Sequence, residues 1–372
     1  MQKKLLALAV AGVLAAPVAA MAQSSVTISG VFKESLDKYT ISNGAATRPA
    51  GANLSEWRIT DNSSRLIFGI TEDLGGGMSA IAQLDMRPTL DQGGGSVAGG
   101  NDWVGVRSTS WGTVTIGRHD LHYGKQPDDI ASKAGALMAA AVSIMDFTYN
   151  GVAIANATRT NNVIRYDSPN WSGFAFTAAV SQNPGGAEAD LNSAVSNGHA
   201  YTVNPSYTAG NFGLGWSYWN QKADGGGASS DQKSNVFYGY YKVAGFKIGA
   251  AVNKSKVESN AGVAFADRTN WTIPVSWSSG PHNVYAHYTK AGKDKVGVAG
   301  VTDDTDAKMI ALAYVYDLSK RTSVGVTYAK IDNKANAAYN FFTNTGALGS
   351  TGSTLGAGED GQLLSFTMRH AF

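Results

Sequence analysis

About sixteen short segments between Val26 and Phe372 alternate apolar and polar residues. Successive side chains of a strand point to opposite faces, so a period of two gives each face of a sheet its own chemistry. In the last segment Leu364, Phe366, Met368 and Phe372 share one face, while Ser365, Thr367 and Arg369 share the other. Ile310, Leu312, Tyr314 and Tyr316 likewise line up, and Val324, Val326 and Tyr328 oppose Ser323 and Thr327. Repeated this often, the pattern predicts an all-β transmembrane β-barrel with an apolar outside and a wet interior. A soluble all-β domain with a dry core is the other architecture, but that many strands would leave sheet edges to protect.

The connections fall into two classes. Short ones are Asp73–Gly77, Thr109–Gly112, Pro169–Gly173, Ala209–Asn211, Ala244–Gly245, Gly280–Pro281 and Leu318–Arg321, rich in residues that tolerate or preset unusual φ. Long polar ones include 183–198, 223–232 and 334–360. Long and short alternate, as in a barrel with short turns at one end and long loops at the other. Counting eight long loops and seven short turns predicts sixteen antiparallel strands, with both termini at the short-turn end. Gly325 and Pro274 weaken two of these strands without breaking the rhythm.

One connection departs from the rule. Between Leu121 and Asn161 lie about forty residues, holding the apolar run Ala134–Val142 and then Ile144, Met145 and Phe147. Long loops of this kind are usually functional, and water would not hold those side chains. The segment is expected to fold into the lumen as the third loop, with a short helical turn near 131–141, and to narrow the bore. Its acids Asp128, Asp129 and Asp146 would face Arg65, Arg118 and Arg159 on the wall, with Arg107 a further wall cation. Fixed charges of both signs across a narrow aqueous gap govern ion passage.

Composition narrows the class. Met1–Lys4 is a basic start, Leu5–Pro17 an apolar core, and Ala20-Met21-Ala22 a small-x-small cleavage site. Residues 1–22 are therefore expected to be a cleaved signal peptide of the Sec pathway, leaving 23–372 as one barrel domain. Removing Lys3 and Lys4 lowers the basic residues from 30 to 28, against 28 acidic ones, so the mature chain is nearly neutral and no nucleic acid is expected as partner. No later stretch has the eighteen or so consecutive apolar residues of a spanning helix. The chain has no cysteine, which removes thiol catalysis and leaves closure and size to stabilise an exported protein. No cofactor is implied.

Other motifs weigh less. His119 and His122 read as solvated histidines of the lumen or rim, since a zinc site would need a third donor. Asp303, Asp304 and Asp306 lack the glycine and distal glutamate of a calcium loop and read as an acidic outside loop. Gly75–Gly77 and Gly225–Gly227 read as turns, with no lysine of a phosphate loop. The six histidines are scattered and no serine sits in an elbow motif, which argues against an outer-membrane hydrolase.

Six stretches carry a family resemblance. They are Val26–Gly30, Ser64–Gly77, Gly112–Arg118, Asn161–Asn170, Leu318–Thr322 and Arg369–Phe372, in order along nearly the whole mature chain. Together they resemble the general diffusion porins of Gram-negative bacteria, the trimeric 16-stranded type, closest to the beta-proteobacterial branch. The resemblance implies a homotrimer, a third loop forming the eyelet, and a terminal Phe372 read by the barrel assembly machinery. It also places Arg65 and Arg159 in the family's basic cluster. The branch often has another arginine early in the fourth strand, where this chain has Asn101-Asp102-Trp103. The expectation is an outer-membrane channel, in contact with lipid and lipopolysaccharide, for passive diffusion of small hydrophilic solutes and ions. Its charge selectivity should be weak with a lean to anions. A substrate-specific channel for a sugar or an anion is the other reading.

Overall fold

The computed structural model describes residues 24–43, 54–122, 124–146, 159–184, 198–222, 231–258, 264–297, 300–342 and 355–372. The expected signal segment, the glycine run at 225–227 and the 147–158 part of the long connection lie outside these residues.

Sixteen antiparallel strands form a closed barrel among the described residues. In chain order they are β1 Ser25–Ser42, β2 in two arms (Ser55–Asp61 and Arg65–Gly75), β3 Met78–Pro88, β4 Asp102–Ser108, β5 Gly112–Asp120, β6 Arg159–Asp167, β7 Phe174–Gln182 and β8 His199–Ala209. They continue as β9 Phe212–Lys222, β10 Asp231–Val243, β11 Phe246–Glu258, β12 Ala264–Ser279, β13 His282–Ala291, β14 Ala307–Asp317, β15 Thr322–Asn333 and β16 Asp360–Ala371. Each strand pairs with its neighbours in sequence, and β16 closes on β1 through a register that runs from Val31↔Ala371 to Ser42↔Asp360. The last residue extends the seam, with Gly30 and Phe372 exchanging backbone hydrogen bonds of 3.1 Å. Closure leaves no sheet edge open.

The alternation translates directly into two faces. Along β14, Ile310, Leu312, Tyr314 and Tyr316 are 45%, 55%, 41% and 38% exposed, while Met309, Ala311, Ala313 and Val315 between them are buried. On β15, Val324 and Tyr328 are exposed, and Ser323 and Thr327 are buried. At the short-turn end Trp111, Trp171, Phe174, Tyr207, Phe212, Tyr241 and Phe246 are exposed, an aromatic girdle of the kind found at a membrane interface.

Inside, the wall is not uniform. Ala291, Ala307, Met309, Ala311, Ala313, Val315, Ala329 and Ile331 are buried in one apolar cluster with Ile130, Ala134, Met138, Ala139, Val142 and Ile144. Thus β13–β16 present small apolar residues inward, and residues 130–144 pack on them. A 3₁₀ turn, Leu137–Ala139, falls within the 131–141 stretch expected to hold a helical turn, and a one-turn helix α1, Val142–Met145, follows just beyond it.

Candidate functional site

Segment 124–146 is held to the wall at every level. Its backbone accepts from wall side chains: Lys33 Nζ donates to Ala131 O (3.0 Å), Asn270 Nδ2 to Ile144 O (2.9 Å) and Asn253 Nδ2 to Met145 O (3.1 Å), and His287 Nε2 meets Ala139 O at 2.7 Å. Its backbone also donates, with Ala136 N reaching Thr327 Oγ1 (3.0 Å) and Leu137 N reaching Asn62 Oδ1 (2.8 Å). Two ion pairs add charge: Lys247 with Asp129 at 2.9 Å, and Lys133 with Asp317. Wall glycines make room. A Cβ on Gly325 would stand 2.5 Å from Ala134 O, and one on Gly249 would stand 2.6 Å from Pro127 Cγ. Gly325, a weak point in the strand pattern, is therefore the place where loop backbone approaches wall backbone.

The acids of the segment are engaged locally. Asp128 accepts from Ile130 N (3.1 Å) and Ala141 N (2.8 Å), so it holds the segment's own fold. Asp129 takes Lys247 and the Ser276 hydroxyl, 3.2 Å away. Asp146 is fully buried and accepts from Asn253 Nδ2 (2.7 Å) and Gly124 N (3.4 Å). Burial pushes its carboxyl up to about 6, since a dry site disfavours the charged form. The expected opposition of these three acids to Arg65, Arg118 and Arg159 is not the contact pattern observed. Their partners sit on β11 and β12 or within the segment, because the apolar run 134–142 seats it on the far wall.

The basic residues gather on the other side. A cavity of 520 Å³ is lined by Lys33, Arg65, Arg87, Arg159 and Arg369, with Asp120 as its carboxylate. Ala131, Ser132 and Leu137 of the segment, together with Phe342, form its other flank. Arg87 is bound to Asp85 (2.6 Å) and to Ser63 Oγ (2.7 Å). Arg159 lies 3.9 Å from Asp120. Arg65 and Arg369 make no ion pair among the described residues. Arg118 donates to Ala98 O (3.3 Å) at the edge of this group, and Arg107 is exposed on β4. Asn101 and Asp102, which stand where an additional arginine was anticipated, instead brace the wall: Asn101 Nδ2 donates to Asp120 (2.9 Å), and Asp102 accepts from Asp85 N (2.7 Å).

Lys33, Arg87 and Arg369 were missed as site residues. Arg369 did fall on the inward face of the last segment, but its proximity to Lys33 arises only when β16 meets β1.

The histidines correct another expectation. His119 and His122 are buried rather than solvated. His119 Nε2 lies 3.1 Å from Thr115 Oγ1, and His122 Nδ1 lies 2.7 Å from Ser217 Oγ, with Asn204 accepting from that serine. Burial pushes the His122 imidazole down to about 3, so it is neutral and anchors the start of the segment. Asp303 and Asp306 pair with Lys293 (3.4 Å) and Lys290 (2.5 Å). Among the described residues no cluster of three metal-ligating side chains occurs.

A family profile described as Gram-negative porin matches residues 7–336, most of the chain. The chain belongs to the Gram-negative porins. It is similar to outer membrane porin protein 32 of Delftia acidovorans, 28% identical with both chains fully covered. It is also similar to an outer membrane porin protein of Bordetella pertussis, 26% identical over 89% of this chain and 94% of that one. Among solved structures the anion-selective porin from Comamonas acidovorans superposes with a TM-score of 0.74 at 22% identity, covering 94% of this chain and all of that one. This porin is thus an outer-membrane β-barrel channel rather than an enzyme, and its girdled cylinder fits that location.

Proposed function

We infer that this porin conducts small hydrophilic solutes and ions passively, with a weak preference for anions, through a gap between segment 124–146 and the wall formed by β16 and β1–β6. The observation that carries this reading is the cavity where Lys33, Arg65, Arg87, Arg159 and Arg369 meet a neutral flank of Ala131, Ser132 and Leu137. The segment's acids are already engaged by Lys247, Asn253 and backbone amides, so the fixed field in the gap is net positive. Of the expected constriction residues, Arg65 and Arg159 belong to this gap, Arg118 lies beside it, and Asp128, Asp129 and Asp146 hold the segment in place. The anion-selective character named for the Comamonas acidovorans protein is in line with this sign. Planar-bilayer recording across a potassium chloride gradient tests it. The expected reversal potential has the anion-favouring sign, and a cation-favouring one would overturn the reading.

Assembly as a homotrimer belongs to the same proposal. A groove of 610 Å³ on the outer face, lined by Leu36, Ile59, Tyr314, Val324, Phe366 and Met368, contains Glu34 beside its cross-strand partner Asp61. A carboxylate among lipid-facing residues is unfavourable, which supports cover by a second copy; the trimer form named for OmpT of Vibrio cholerae agrees. Residues 1–22 are proposed to serve as the Sec signal and to be removed, leaving 23–372 as one domain. Phe372, paired with Gly30 at the seam, would be the contact for the barrel assembly machinery, and the long loops would meet lipopolysaccharide. Three equal closing steps per inserted unit would support the trimer; single steps would count against it.

A further inference from the structure

The cationic cavity has two unlike flanks. On one, Lys33 and Arg369 stand directly opposite each other on adjacent strands, and Arg65 stands opposite Val31 one step away. Like charges placed across a ladder repel each other. Arg65 and Arg369 have no ion pair among the described residues, and Arg65 Nε is buried without a hydrogen-bond partner. Asp120, the carboxylate of this cavity, is taken up by Arg159 and Asn101. A guanidinium presents a planar fork of donors that matches a carboxylate. On the other flank Leu137 and Phe342 offer apolar surface and no charge, and Phe342 is fixed there by its N–H, which donates to Ser143 Oγ (2.8 Å).

We propose that this cavity is a transit binding site for organic monoanions with a compact apolar body, the arenecarboxylates being the class that fits. The carboxylate is taken by Arg65 and Arg369, and the ring lies against Leu137 and Phe342. An inorganic anion or acetate can use only the first flank. An arenecarboxylate uses both, because removing its ring from water adds to the charge interaction. Occupancy stays brief, since a conducting site must release what it binds. The inference rests on the anion-favouring reading above and narrows it to a substrate class.

The test uses the purified full-length protein in planar bilayers with potassium chloride, titrated with benzoate, acetate or inorganic phosphate. Benzoate is expected to interrupt the current at concentrations about tenfold below acetate or phosphate, equivalent to ~1.4 kcal/mol. Leu137→Ser and Phe342→Ser should each shrink the benzoate-to-acetate ratio several-fold, with folding of each variant established separately by the heat-dependent migration of the barrel on a denaturing gel. Equal blocking by benzoate and acetate in the unmodified protein would overturn the inference. So would blocking by phosphate at benzoate concentrations, or an unchanged ratio in Leu137→Ser. If the reversal potential stays anion-favouring in those cases, the anion-favouring reading stands; if it is cation-favouring, that reading and the inference both fall.

Discussion

Asp146 carries a carboxylate into a site with no solvent exposure, where Asn253 Nδ2 and Gly124 N are its donors. Its carboxyl is raised from 3.8 to about 6 by that burial. A raised acid binds its proton more tightly when segment 124–146 is docked. The docked form is therefore favoured most at low pH, and that advantage is lost as pH rises from about 4 through about 6. The gap corresponds to roughly 3 kcal/mol between the two extremes. Amide exchange in residues 141–146, corrected for intrinsic rates, is expected to show protection falling over that window. Asp146→Asn should flatten the dependence, and an unchanged slope in the variant would contradict the assignment. Arg65→Gln and Arg369→Gln concern charge in the gap itself. Each is expected to lower the anion-to-cation permeability ratio by about twofold, and the pair by more, with unitary conductance retained. Asp129→Asn should act in the opposite direction, because it frees the Lys247 ammonium.

At the scale of elements, the strands and turns were legible because each carries its own signal. Period two put Ile310, Leu312 and Tyr314 outside, and glycine, proline, asparagine or serine marked each of the seven short turns. The seat of the long segment was less legible, although β14 hinted at it. Ala307, Met309, Ala311, Ala313 and Val315 make the inner face of β14 apolar as well, which a water-lined strand does not need. Read that way, β14 marks a stretch of wall that something covers. Gly325 belongs to the same arrangement, since its missing Cβ lets Ala134 O approach. Gly325→Val is expected to unseat the segment while the barrel survives. Protease cutting within 124–146 should rise several-fold and open-channel noise should increase, with the heat-denaturation temperature of the barrel little changed. Unaltered cutting would mean that the close approach is not needed for docking.

For the molecule as a whole, closure created what local reading could not supply. The arginines near the segment in sequence are only part of the cationic group, because the cylinder brings β16 beside β1 and sets Arg369 next to Lys33. Acids and bases thus sort onto different parts of the wall: the segment's acids are held at β11 and β12 or within the segment, while Arg65 and Arg369, with no ion pair among the described residues, line the gap at β2 and β16. The resulting claim is that residues 124–146 remain seated on the inner wall while ions pass beside them. Because the chain has no cysteine, Ala136→Cys with Thr327→Cys provides a clean cross-link between segment and strand β15, where Ala136 N donates to Thr327 Oγ1 at 3.0 Å. Ionic current should be recorded in bilayers before and after oxidation. The account expects the cross-link to form readily and the unitary conductance to stay within about a tenth of its starting value. Failure to cross-link, or a conductance that collapses once the bond forms, would contradict it.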